Sequence, residues 1–425
     1  MPQTQKPFLA AICLAIVLGG APVVRSADSP QPAPISDHFI VHEWGTFTSF
    51  SGSDGVNLEF RPLVTNDLPR FIMTPYNQPG GRFELLIKDR FVARQRMETP
   101  VTYFYTNEPR TVRVRVDFPE GMLSEWYPVV ARFNSGHDDE QRQVVGNACL
   151  DWGQVNLIPA DKFSRIRVRG PENKPLPAEL PPVKPAHHYG RARETDSTIV
   201  ETVDANGGSH FEKFLFYRGL GNFRLPVELV ALGLDRFKIT NNSYTATGSL
   251  FLVHVDGEHV RFTELDSLSR RATTEIELPT QTSTVDSLAA AMIQRLTAAG
   301  LYEKESRAMV NTWRDSWFGE SGTRLLYLVP QQYTDSILPL SIDPAPQECI
   351  RILVGRLETI TPEDCRRLAS LADEDSSPEQ IGRQLQSLGR FAEPALQFVI
   401  EQSRDESRRA RLAEILNAAK SGTFQ

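Results

Sequence analysis

A chain of 425 residues with 40% hydrophobic and 23% charged side chains has a globular composition and room for two or three domains. Its net charge of −7 and pI near 5.7 leave no basic excess for a nucleic-acid partner. Thirty prolines spread along the chain favour short strands and many loops.

The first 27 residues read as a secretory signal peptide. Lys6 supplies a weakly positive start, Phe8 to Leu18 form an apolar run, and "VVRSA" offers small residues for cleavage after Ser26 or Ala27. The rival reading, a membrane anchor, fails on length, and Gly19, Gly20 and Pro22 follow the run. Cys13 follows Ile12 rather than a small residue, which argues against lipidation. Cleavage after Ala27 removes Lys6 and Arg25 and takes the net charge from −7 to −9. No later segment is apolar enough to span a membrane. The expected location is therefore periplasmic or extracellular.

Residues 28–36, "DSPQPAPIS", read as a flexible proline-rich lead. From 37 to 170 the pattern is all strand: "HFIVHEWGTFTSF", "RFELLIKDRFV", "TPVTYFYT", "RTVRVRVDFP" and "SRIRVRG" are β-branched or aromatic runs between Gly, Pro, Asn and Asp. In "TVRVRVDF", Val112, Val114, Val116 and Phe118 share one face, as in a half-buried antiparallel strand. Six prolines in residues 171–190 predict an extended connector, either a domain boundary or a long loop. A second β-rich block runs from 191 to 360, with Asp256–Gly257 as a hairpin turn signal.

Within that block residues 284–318 form a predicted helical pair. Thr284 caps the first helix and Gly300 ends it, while Met309, Trp313 and Trp317 make an apolar stripe on the second. From 361 to 425 the tail is helical. Thr361, Pro362, Glu363 and Asp364 supply a cap, an N1 proline and first-turn acids. The fold class is thus α+β and β-rich, with antiparallel sandwich-like sheets in the N-terminal two thirds.

Two resemblances add to this. "LGRFAEPALQFVIEQSRDESRRARLAEIL" resembles one helical hairpin of HEAT-like repeats. A lone unit cannot form a solenoid and must pack on the body of the protein; such a tail could also contact a protein partner. "HEWGTFTS", "METPVTYFY", "HFEKFLFYRGLG" and "WRDSWFGESGTRLLYLVP" together resemble a family of exported bacterial proteins built around a HEWGTF segment. That resemblance implies export and one coherent unit, and it carries over no catalytic residue.

The chemistry candidates follow from strand alternation. His42 and Glu43 are adjacent, so on a strand they point to opposite faces and cannot share one metal unless Gly45 marks a bulge. His38 and His42 share a face but lie about 13 Å apart. His210 and Glu212 share a face at about 7 Å between Cα atoms. With His42 they could make a two-His, one-carboxylate site for a divalent metal, open to water. The bland alternative pairs Glu212 with Arg218 or another strand arginine. His254 and His259 would face each other across a turn at Asp256–Gly257 and form a second metal candidate, or lie solvated on the outer face. Asp138, Asp139 and Glu140 lack calcium-loop spacing, and the adjacent His187 and His188 point apart on an extended segment.

Export leaves Cys149, Cys349 and Cys365 in an oxidising compartment, with Cys349 and Cys365 the expected disulfide and Cys149 a buried thiol. No GxSxG, glycine-rich phosphate loop, CxxC or dinucleotide fingerprint is present. The expected function is a non-catalytic binding or scaffolding protein of the cell envelope or exterior. The alternative is a metal-dependent hydrolase on His42, His210 and Glu212, with Glu98 as base.

Overall fold

The structure is a computed structural model that describes residues 38–61, 68–77, 91–138, 143–169, 174–184, 187–373 and 376–420. The expected signal peptide and proline-rich lead lie outside the described residues, as do most of the "RFELLIKDRFV" run, Asp139 and Glu140.

The principal strands, in chain order, are β1 (Phe39–Ser51), β2 (Gln95–Thr106), β3 (Arg110–Phe118), β4 (Gly121–Tyr127), β5 (Ala148–Ile158), β6 (Ile199–Val203), β7 (Ser209–Glu212), β8 (Leu215–Gly221), β9 (Val227–Ala231), β10 (Arg236–Asn241), β11 (Leu250–Asp256), β12 (His259–Leu265) and β13 (Thr273–Glu277). Helices α1 (Val285–Ala298) and α2 (Glu303–Arg314) follow, then β14 (Gly322–Leu328), β15 (Leu340–Asp343) and β16 (Glu348–Thr359). The tail carries α3 (Pro362–Ala369), α4 (Pro378–Leu388), α5 (Ala392–Gln402) and α6 (Glu406–Lys420).

The central sheet runs β12-β11-β14-β16-β1-β2-β8-β4. Its neighbours are antiparallel except for β1 and β16, the first and last strands of the β region, which pair in parallel from Ile40 opposite Glu348 to Ser51 opposite Thr359. Parallel strands buried on both faces read as near-continuous apolar runs, and all thirteen residues of β1 are buried.

Alternation sorts the side chains into two cores. Phe39, Val41 and Phe47 join Leu353 and Leu357 on one face, under β3, β5, β9 and β10. Trp44, Ile352 and Val354 face the other way, under α1 and α2. The expected stripe of Met309, Trp313 and Trp317 lies in that second core. Val112, Val114, Val116 and Phe118 of β3 face the first, as their spacing predicts.

Strands from both sides of the proline-rich segment 171–190 share the central sheet: β1, β2 and β4 precede it, and β8, β11, β12, β14 and β16 follow it. The two predicted β blocks are therefore one folding unit, and residues 37–425 cluster together. Sequence-local caps form as expected. Thr284 Oγ1 accepts from Ser287 N, and Thr361 with Asp364 completes a capping box below Pro362. The tail helices close a third core with Phe50, Phe60 and Ile360, so the tail packs on the end of β1 and β16.

Gly45 does not bend β1. The irregularity lies in its partner, where Thr99 and Pro100 together stand opposite Gly45, one residue too many, between Glu98, opposite Thr46, and Val101, opposite Trp44. A Cβ on Gly45 would sit 2.9 Å from Pro100 Cα. Gly45→Ala should therefore cost about 1–3 kcal/mol through backbone displacement, measured as a lower urea midpoint with an unchanged m value.

Candidate functional site

The alternation that buries β1 also fixes what His42 and Glu43 do. They point to opposite faces. Glu43 stands opposite Arg351 of β16 and pairs with it at 2.7 Å, and it accepts from Thr102 and Tyr217 hydroxyls at 2.9 and 2.7 Å. His42 faces the helices. Its Nδ1 lies 2.7 Å from Glu305 of α2, and its ring packs against Tyr302 and Tyr105.

The expected metal trio is not assembled. His42 is committed to Glu305, His210 lies 3.1 Å from Asp204 within its own hairpin, and Glu212 is held by Arg193 at 2.7 Å and Tyr189 at 3.1 Å. Among the described residues no three His, Cys, Asp or Glu side chains converge as metal ligands. The strand geometry inferred for His210 and Glu212 says nothing about which strand lies beside them. β7 pairs with β6, in a different sheet from β1.

The His254–His259 pair is also corrected. The turn centres on Gly257 (φ +58°) and Glu258, one residue later than expected, so Asp256 faces His259 and His254 faces Arg261. Moving a turn by one residue shifts every cross-strand partner by two. His254 Nδ1 lies 2.8 Å from Thr323 Oγ1 on β14, and burial lowers its pKa, with Arg261 adding to the effect.

The predicted disulfide fails on distance. Cys349 is near the start of β16 and Cys365 lies in α3 beyond its end, so ten residues of strand, about 33 Å, intervene. Cys149, Cys349 and Cys365 are all free, and burial raises the thiol pKa of Cys349 to about 11.

The densest chemistry is a belt of buried charge across the helix-facing side of the central sheet. Arg218 of β8 faces Glu125 of β4, Arg96 of β2 faces Thr48 of β1, and Thr48 faces Arg356 of β16. One step along, Glu358 of β16 faces Arg324 of β14. Arg218, Arg324 and Arg356 are at most 1% exposed.

Ion pairs knit the row together. Glu98 meets Arg96 at 2.7 Å and Thr48 Oγ1 at 2.9 Å, and Glu358 meets Arg324 at 2.8 Å and Arg356 at 2.6 Å. From above, a single π turn at Asp315–Gly319 extends α2. It brings Trp317 O to Arg324 at 2.6 Å and Glu320 to Arg356 at 2.5 Å. Arg390, in the turn before α5, reaches Glu98 at 3.1 Å.

Two local signs often accompany functional sites here. The π turn is one. The other is Thr99, a buried β-branched residue at φ +52° whose hydroxyl has no hydrogen-bond partner among the described residues.

Electrostatics define what the belt can do. Burial by itself would raise the Glu98 pKa, but Arg96, Arg390, Arg356 and Arg218 outweigh it and hold the carboxyl at about 2. A carboxylate so acidic is a poor proton acceptor near neutral pH, so Glu98 is not placed to serve as the general base expected of it. Guanidinium groups do not exchange protons there either.

Of the belt, the sequence singles out Glu98 as a base and Arg218 as a partner for Glu212, whereas Glu212 is held by Arg193 and Arg218 faces Glu125. Arg96, Arg218, Arg324 and Arg356 left a readable trace in "RQRMETP", "FYRGLG", "TRLLYLVP" and "GRLETI", each an arginine within a strand run.

No family model matches the chain, and no curated protein matches it. Among solved structures it is similar to the yeast delta-COP-I mu-homology domain, at 6% identity and a TM-score of 0.25 over 78% of this chain and 98% of that one. The same domain complexed with a Dsl1 WxWxV peptide gives 7% identity and a TM-score of 0.24, over 77% and 98%. Likeness at that level carries no argument about function.

Glu98→Gln should destabilise the protein by about 3 kcal/mol at pH 7, because it leaves buried guanidinium groups uncompensated. The folded pKa lies below the unfolded value of 4.5, so this contribution is complete above pH 4.5 and fades as pH falls towards 2. Urea unfolding of both proteins across that range should show the gap closing. Thiol titration of unfolded, unreduced mature protein should find Cys149, Cys349 and Cys365 all reactive; loss of two would restore the disulfide.

Proposed function

We propose that this is an exported, non-catalytic binding or scaffolding protein that works in the periplasm or outside the cell, with its helical tail as the contact face. Export rests on the layout of the first 27 residues and on the HEWGTF resemblance. The tail's role rests chiefly on how it is anchored. Arg390 reaches into the belt at Glu98, and its guanidinium lies over Phe391, whose ring stacks on Phe50 at 4.9 Å. An ionic and an aromatic contact together hold the tail on the sheet, so its outer surface is presented on a fixed frame. No helix among the described residues is long and apolar enough to cross a membrane.

Two measurements test this. Mass analysis of the native protein should find a new N-terminus at Ala27 or Asp28; an intact Met1 on the functional protein removes the export half. A photo-crosslinking residue at exposed Gln402 of α5 should trap a partner in intact cells, while one at Val203, on a distant strand, should not. Equal trapping at both positions, or none at Gln402, removes the tail as contact face.

A further inference from the structure

Resting on that reading, we infer that the tail groove receives an amphipathic helix whose flanks are acidic. The groove, of about 500 Å³, lies between α3, the α5–α6 turn and the Ser53–Asp54 turn after β1. Its floor is apolar: Pro362, Cys365, Ala369, Phe398 and Val399. Cys365 Sγ closes one end against Ser53 Oγ at 3.8 Å.

Ala231 N donates to Ser53 O at 2.9 Å, which brings in the β9–β10 hairpin, where Leu232 and Leu234 are exposed, as is Val56 beside Gly55. The apolar floor is itself the mark of a contact surface, since it is a concave, largely apolar patch rimmed by polar side chains. An apolar floor bounded by helices suits the anchors at i, i+3, i+4 and i+7 of a docked helix.

The rim decides the charge of the occupant. Arg366, Arg404 and Arg408 stand along it. Arg404 is exposed and has no carboxylate partner among the described residues. Arg408 meets Asp373 only at 3.6 Å, and Arg366 pairs with Glu363 of its own helix. The rim carboxylates are turned to local backbone work, with Asp54 accepting from Val56 N and Asp405 from Arg408 N, both at 3.0 Å. Carboxylates on the flanks of an incoming helix would meet Arg404 and the loosely paired Arg408 as its apolar stripe fills the floor.

The test uses full-length mature protein and two labelled model helices of about five turns. Both carry leucine at i, i+3, i+4 and i+7, one with glutamate flanks and the other with lysine. Fluorescence anisotropy should show the acidic helix binding at least about tenfold more tightly, with the preference shrinking as salt rises. Arg404→Glu with Arg408→Glu, both on the surface, should remove that preference, and Ala369→Trp should block the acidic helix. If Ala369→Trp fails to melt cooperatively, the surface arginine variants decide. Equal binding of both helices, no binding of the acidic one, or a preference that survives the arginine changes overturns the inference. Crosslinks at Gln402 without a preference for the acidic helix would leave the tail as contact face and remove only its acidic occupant.

Discussion

The fold depends on one pairing, the parallel contact of β1 with β16 at the middle of the central sheet. It joins strands some 300 residues apart in sequence, and each is covered on both faces. Because neither face meets water, every polar side chain on these two strands needs a partner inside the protein. Glu43 and Arg351 satisfy each other across the pair itself. His42 finds Glu305 of α2, and Thr46 Oγ1 donates to Val354 O at 2.8 Å. Helices on one side and two smaller sheets on the other are the covers this pairing demands.

The charged belt follows from the same constraint at the far end of the strands. There the apolar cover of α1 and α2 gives way to the tail, and arginine and glutamate replace leucine and valine on the inner face. Buried ion pairs contribute little net stability against a well-packed apolar alternative, yet breaking one side of such a pair is costly. A belt built this way therefore specifies more than it stabilises. The π turn, the inserted Thr99–Pro100 and the Arg390 turn must each occupy one position for the charges to balance. The strain at Thr99 is tolerated where surrounding contacts over-determine the backbone.

Anchoring of the tail links that belt to the outer surface. Phe50, at the end of β1, and Phe391, before α5, belong to the third core, while Arg390 beside Phe391 belongs to the belt. Folding of the sheet and docking of the tail thus share residues. An occupant of the groove would touch α3 and α5, whose inner faces line that core, so its contacts would bear on helices already held to the sheet.

Whatever depends on near neighbours is legible in the order of the amino acids. The period of two in "TVRVRVDF", the stripe of Met309, Trp313 and Trp317, and the caps at Thr284 and Thr361 each lie within one element and formed as read. So did the opposed directions of His42 and Glu43, which settled that they share no site. Only the tertiary structure decided which elements meet. That β7 lies in another sheet from β1 and that five arginines from distant segments converge are facts about which elements pack together. Strand order is set by the summed burial of both faces of the sheet across the whole chain. No local window of residues contains that sum, so the separate arginines were visible in the sequence while the belt they form was not.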